Sequence, residues 1–228
     1  MKFRKFLMFA SRGTAPSFTI EVKSDNSGTS GTDQFTIPTT TGTYLYDYTT
    51  SDGQSGTGIT GDTTITFASG AGTYEIYITG TFPKIYFNNV GDKDKLLRVL
   101  EWGDYGVGET DQARTFYGCT NLTSIANDVD NINLVVNGQW MFRFCPLTAL
   151  PSGITFPDLS VADQIFSSST FPTARYSQLL VDLESGNANN SVVFRGGNSK
   201  YNATGETARD ILTGPVRLWT ITDGGLEI

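Results

Sequence analysis

The chain has 228 residues, of which 38% are hydrophobic and 12% aromatic, too apolar for an intrinsically disordered protein and enough to pack a core. Its formal net charge is −7 and it contains no histidine, which excludes the basic stripe a nucleic-acid binder needs and every Ser-His, Cys-His or His-zinc site. The length suits two domains of roughly 80–140 residues, and the abundance of Gly, Thr, Ser and Asn suits strands and tight turns better than long exposed helices.

Lys2, Arg4 and Lys5 flank and precede a five-residue apolar stretch at 6–10. A secretory h-region runs about 7–15 residues, so residues 1–17 read as an attachment arm with Phe3, Phe6, Leu7, Met8 and Phe9 as its apolar anchor. An export signal is the alternative. No segment reaches the roughly 18 apolar residues of a membrane span, and no membrane insertion is expected.

Residues 18–90 read as successive short strands: FTIEV at 18–22, QFTI at 34–37 stopped by Pro38, YLYDY at 44–48, TTITF at 63–67, TYEIYIT at 73–79 and KIYF at 84–87. Gly-rich turns separate several of them, as at Asp25 to Gly28, Ser51 to Gly53 and Ser69 to Gly72. Short alternating strands between such turns argue for an antiparallel β-sandwich. The stretches YDYTTSDG at 46–53 and TFASGAGTYEIYITG at 66–80 resemble the polycystic-kidney-disease (PKD) type of immunoglobulin-like domain. The Trp-Gly-Asp-Gly of that family is reduced here to Ser51-Asp52-Gly53.

After residue 90 the texture changes, with the charged run at 92–95 leading into apolar residues and Trp102. The chain then repeats itself. Phe116, Cys119, Leu122 and Ile125 align with Phe142, Cys145, Leu147 and Leu150, and both Phe116 to Phe142 and Cys119 to Cys145 span 26 positions. A fainter third copy begins at Phe166, 24 positions further on. A period near 25 lies in the range of leucine-rich repeats, in which each unit buries its apolar edge only by stacking on its neighbours. Residues 93–170 resemble the BspA-type leucine-rich repeat of bacterial and phage surface proteins. The resemblance implies stacked apolar rungs at Leu122, Ile125, Leu147 and Leu150.

Apolar residues at 176, 179, 180 and 183 have helical spacing, Ser191 to Phe194 reads as a strand, Gly205 to Leu212 as a second helix and Leu218 to Ile221 as a last strand. Together they read as a C-terminal cap, since a terminal repeat must cover an open end. GGNSKYN at 196–202, GETAR at 205–209 and WTITDGG at 219–225 are similar to the endings of phage tail-fibre and virion proteins.

Chemistry-bearing candidates are few. Without imidazole, a hydrolase would need two carboxylates about 5–9.5 Å apart, drawn from Asp104, Glu109, Asp111, Asp128, Asp130 and Asp163. Surface acids more often cap turns. Asp92, Asp94 and the run Asn127 to Asp130 carry the oxygens Ca²⁺ prefers, but lack an EF-hand pattern and are explained by turns and N-caps. Cys119 and Cys145, at equivalent repeat positions, form either a buried thiol ladder or a bridge between rungs. Tyr105, Trp140 and Arg143 flank the rungs and are the candidate contact surface; Trp102, Phe142, Phe144 and Trp219 are the other aromatics weighed for it.

The sequence therefore reads as mainly β plus α/β. Residues 1–17 form an arm, 18–90 an immunoglobulin/PKD-like sandwich, and 91–228 a short leucine-rich-repeat-like domain with a C-terminal cap. The expected function is a non-enzymatic structural and binding protein on the surface of a tailed-phage virion, a homo-oligomer attached through its arm to other virion proteins. It would recognise a host surface glycan or protein at a tail fibre or baseplate. Capsid decoration, an exported bacterial adhesin on the cell surface and a carboxylate-dependent polysaccharide hydrolase are the alternatives. No catalytic residue, cofactor or metal ion is assigned.

Overall fold

The computed structural model describes residues 16–228; the arm anchor Phe3, Phe6, Leu7, Met8 and Phe9 lies outside the described residues. The protein is mostly β, with a five-stranded antiparallel sheet and two α-helices.

The first seven strands are β1 (Phe18–Lys23), β2 (Gln34–Ile37), β3 (Leu45–Thr50), β4 (Ser55–Ile59), β5 (Thr63–Thr66), β6 (Thr73–Thr81) and β7 (Leu96–Glu101). The large sheet has the order β4-β3-β6-β1-β7, and β2 pairs with β5 in a second sheet. Alternation selects the faces: in β1 the side chains of Phe18, Ile20 and Val22 are buried, and they lie opposite Ile78, Ile76 and Tyr74 of β6. The smaller sheet turns Phe35, Ile37 and Ile65 inward, and Phe67, just past β5, stacks on Tyr74 with ring centroids 3.9 Å apart. The two sheets thus share one apolar core.

Strand β7, which follows the expected boundary at residue 90, pairs along β1, with Val99 opposite Ile20 and Arg98 opposite Glu21. One expectation is corrected. The run at 84–87 is not a strand of either sheet. Its Phe87 N–H, and that of Asn89 just beyond it, donate instead to the carbonyls of Thr115 and Tyr117, so the chain here starts a different ladder.

A buried polar knot ties the two sheets to β7. Asp92 Oδ1 accepts from the Thr29 and Ser30 N–H groups at 2.8 and 2.9 Å, and Oδ2 from Ser30 Oγ at 2.6 Å and Thr36 N–H at 2.7 Å. Lys95, equally buried, donates to Ser30 Oγ and to the carbonyls of Gly31 and Gln34. Burial by itself would raise the Asp92 pKa, but the Ser30 and Thr36 donors and the Lys95 charge outweigh it and hold the carboxyl below its ordinary value.

From residue 87 on, successive stretches hand hydrogen bonds to one another in parallel. The N–H groups of Gln112, Arg114, Phe116 and Gly118 donate to the carbonyls of Asn137, Gln139, Met141 and Arg143 at 2.8–2.9 Å. The N–H groups of Gly138, Trp140 and Phe142 then donate to Val161, Asp163 and Ile165, and Phe166 to Arg195. Isolated parallel bridges run from Asp111 to Asn137 to Val161 and from Ala162 to Phe194. Inside this ladder the rings of Phe116, Phe142 and Phe166 stack nearly coplanar, at 5.3 and 5.7 Å. Leu122, Ile125, Leu147 and Leu150 are all buried.

Helix α1 (Thr173–Gly186) buries Tyr176, Leu179, Leu180 and Leu183, the four positions the spacing singles out. Strand β8 (Val193–Arg195) pairs in parallel with β9 (Thr220–Thr222). Between them α2 (Ala203–Thr213) starts at Asn202, whose side-chain oxygen accepts from the Thr204 and Gly205 N–H groups, the N-cap arrangement that satisfies otherwise orphaned donors.

Candidate functional site

Equivalent positions of the ladder carry left-handed backbone. Arg114, Trp140 and Gln164 have φ of 62°, 59° and 56°, and they are 26 and 24 positions apart. This conformation is unfavourable for large side chains, so the ladder hydrogen bonds on the neighbouring residues must hold it. Its consequence is that one bulky side chain per turn of the chain is thrown to the same outer edge. A second such row pairs Gly118, at φ 86°, with Phe144, at φ 64°. Where the first copy has glycine, the second holds a phenylalanine that is 42% exposed.

The result is a cluster of two arginines and three aromatic rings. The Arg143 guanidinium lies 4.7 Å from the Trp140 ring, 4.7 Å from Phe144 and 5.3 Å from Tyr117. Arg114, from the preceding copy, lies 4.8 Å from Trp140. Tyr117 meets Trp140 edge-on at 5.5 Å and Phe144 at 5.7 Å. Apart from Phe144 these side chains are half-buried, each held in place by its neighbours.

Of the sequence candidates, Trp140 and Arg143 are brought together and Tyr105 is not. Tyr105 is only 1% exposed. Its ring packs 4.4 Å from Phe18 and 5.3 Å from Trp102, and its hydroxyl donates to Gln112 Oε1 at 2.8 Å; burial raises its pKa. Its place is the seam between β1 and the ladder, where an aromatic with one satisfied polar tip fits well. Trp102 and Trp219 are core residues too. Arg114 and Tyr117 escaped the sequence reading, although the period could have found them: they sit 26 positions before Trp140 and Arg143.

A polar cleft of about 420 Å³ adjoins the cluster, lined by Lys84, Glu109, Asp111, Arg114, Asn137 and Gln139 among others. Asp111 accepts from Ala113 N–H, Lys84 Nζ and Asn137 Nδ2. Burial alone would raise its pKa, but these donors and the Lys84 charge hold it below its usual value. Glu109 accepts from the Asp111 N–H. The other acids of interest are elsewhere: Asp104 is exposed on another surface depression, Asp128 accepts from the Trp102 and Gly103 N–H groups, Asp130 is exposed, and Asp163 pairs with Arg195 at 2.8 Å.

Asp92 is committed to the polar knot, and Asp94 accepts from Lys93 and Thr120; no group of three metal-ligating side chains occurs among the described residues. Cys119 and Cys145 are buried free thiols. Burial, and then the neighbouring Cys145, push the Cys119 thiol pKa up, and Cys145 Sγ donates to the Phe116 carbonyl at 3.0 Å. In the third copy Ser169 takes the cysteine's place and donates to the Cys145 carbonyl.

No family model matches the sequence, and no curated protein and no solved structure matches it either.

Proposed function

We propose that the chain is a non-enzymatic structural and binding protein on the surface of a tailed-phage virion, acting in host recognition at a tail fibre or baseplate. In this reading the two antiparallel sheets are an immunoglobulin/PKD-like sandwich. The parallel ladder is a short stack of leucine-rich-repeat type, and α1, α2, β8 and β9 cap it. The observation that carries the binding role is the arginine and aromatic cluster. Aromatic residues and arginine dominate the energetics of contact surfaces, and here five of them are fixed on a hydrogen-bonded framework that loses little conformational entropy when a partner docks. Residues 1–17 would tie the chain to other virion proteins, and several copies on one particle would multiply a modest affinity.

Asp111 supports the same reading. Asp111 is held ionised by three donors, which suits a structural anchor and not a proton donor, since a general acid needs a raised pKa.

Antibody raised against residues 16–228 should label purified particles of the phage that encodes this chain at the tail, and the free protein should compete with those particles for adsorption to host cells. Unlabelled particles would sink the virion reading. Labelled heads with undisturbed adsorption would replace host recognition by capsid decoration.

A further inference from the structure

Seven arginines lie among the described residues, and five of them hydrogen-bond to protein oxygens. Arg98 pairs with Glu21, Arg195 with Asp163 and Arg209 with Asp223. Arg175 reaches Asp182 and the carbonyls of Pro151 and Ile154, and Arg217 reaches the carbonyls of Glu184 and Asn189. Arg114 and Arg143 differ. Neither forms an ion pair or a side-chain hydrogen bond with any described residue, and both rest on the ring of Trp140. In a chain of net charge −7, Glu109 and Asp111 line the same cleft as Arg114, yet Arg114 pairs with neither.

Stacking on an aromatic face holds a guanidinium by its plane and leaves its edge, with the fork of N–H donors, unused. That fork matches the two oxygens of a carboxylate, or of a sulfate or phosphate. Other donors here are unmatched as well. Trp140 Nε1 and Arg143 Nε are sheltered from solvent without a hydrogen-bond partner, and so is the hydroxyl of Ser167, which follows Arg143 in the same row of the ladder. Unpaired sheltered donors are uncommon in a folded protein. Phe144, 42% exposed beside them, offers an apolar face on which a sugar ring packs.

The geometry points to a specific ligand class for this surface: an anionic polysaccharide, whose oxyanions are gripped by Arg114 and Arg143 while its sugar rings lie against Phe144 and the half-buried rings beside it. This rests on the binding role proposed above and names what is bound. The polar cleft beside the cluster, with Asn137 and Gln139, extends the same face and would receive the hydroxyls of the next sugar.

The test uses the purified full chain and four polymers: polygalacturonate for carboxylate, dextran sulfate for sulfate, unmodified dextran, and single-stranded DNA as a polyanion that is not a glycan. Titration calorimetry should show one or both acidic glycans binding at least tenfold more tightly than dextran or DNA; which of the two binds identifies the oxyanion. Arg143→Gln and, separately, Arg114→Gln should each weaken binding about tenfold, the expected effect of losing one charge-assisted fork. Arg143→Lys keeps the charge without the fork and should recover less than half of that loss, and Lys200→Gln, at an exposed position outside the cluster, should change nothing. Trp102 and Trp219 are buried, so the fluorescence change on binding should vanish in Trp140→Phe. Equal affinity for dextran, equal affinity for DNA, or indifference to both arginine variants overturns the assignment. Because the two arginines come from different copies of the repeat, misfolding of one variant leaves the other to decide. If no glycan binds but particle adsorption still falls with Arg143→Gln, the ligand class is wrong and the contact surface stands; if adsorption is also unaffected, the contact surface itself is wrong.

Discussion

In the antiparallel sheets, each buried side chain finds its partner by alternation: Ile20 lies opposite Ile76, Phe35 opposite Ile65. A slip by one residue would turn the whole apolar set outward. In the parallel ladder the same job is done by repetition. Phe116, Phe142 and Phe166 meet because they occupy the same place in successive copies, and the hydrogen bonds between Phe116 and Met141 and between Phe142 and Ile165 follow. The first mechanism leaves an outer face that is free to vary. The second imposes its period on the outer face as well, so residues distant in sequence collect there in rows, and the arginine and aromatic cluster is assembled as a by-product of the stacking.

The largest expected effect comes from breaking repetition. Phe142→Ala removes the middle ring of the stack and should destabilise the protein by about 3–5 kcal/mol, while Ile20→Ala, in the sheet, should cost about 2–5 kcal/mol. Since the two regions share one core, chemical denaturation of both variants should remain a single transition. Two separable transitions would show that alternation and repetition stabilise independent units.

Next in size is the polar knot that fixes β2 and the loop before it to the segment leading into β7. Asp92→Ala leaves three backbone donors and the Ser30 hydroxyl without their acceptor, removes the charge that faces buried Lys95, and should cost about 3 kcal/mol. Asp92→Asn sharpens the point through pH. The folded-state pKa of Asp92 lies below the ordinary 3.8, so its ionised form adds stability above about pH 4, and this contribution is lost as pH falls through the folded value. The gap in stability between wild type and Asp92→Asn should therefore be full at pH 7 and narrow toward pH 2 in urea titrations. A gap independent of pH would contradict the ionised knot.

A smaller effect is expected at the cysteine row. Cys145→Ser should cost under about 1 kcal/mol, because a hydroxyl can still donate to the Phe116 carbonyl, as Ser169 does to Cys145 in the next copy. Both thiols should resist iodoacetamide at pH 8 until the protein unfolds, since Cys119 is buried and its pKa is raised. The smallest change is Phe144→Gly, which copies Gly118 into the second repeat. It relieves a left-handed phenylalanine, and melting should show stability unchanged or raised by up to about 1 kcal/mol.

The sequence was legible where one residue's neighbours decide its fate. The two-residue alternation located β1, β2, β5 and β6, and the helical spacing at 176–183 located α1. The 26-residue interval found the Phe and Cys rows because identical residues recur. Three things were hidden. Strand β4, SGTGI, has no apolar alternation, since it is an edge whose side chains stay largely exposed. The run at 84–87 alternates like a strand, yet its N–H groups are claimed by scattered partners, the Tyr105 hydroxyl and the carbonyls of Pro38 and Thr115. Tyr105 looks like a surface aromatic until β7 brings Phe18 against it. Each depends on which distant segment arrives, and no local pattern carries that. Of the five cluster residues, Trp140 and Arg143 could be named from sequence and Phe144 was among the aromatics weighed; Arg114 and Tyr117 required carrying the period across to residues that do not resemble their counterparts.

Strand β7 belongs to both regimes at once: Arg98 lies antiparallel to Glu21 on one side and bridges in parallel to Ser124 on the other. The junction between the regions is therefore a shared strand with no hinge in it. Tension applied through the ladder would load the β1–β7 hydrogen bonds in shear along the strand axis, all together, and not peel them one by one.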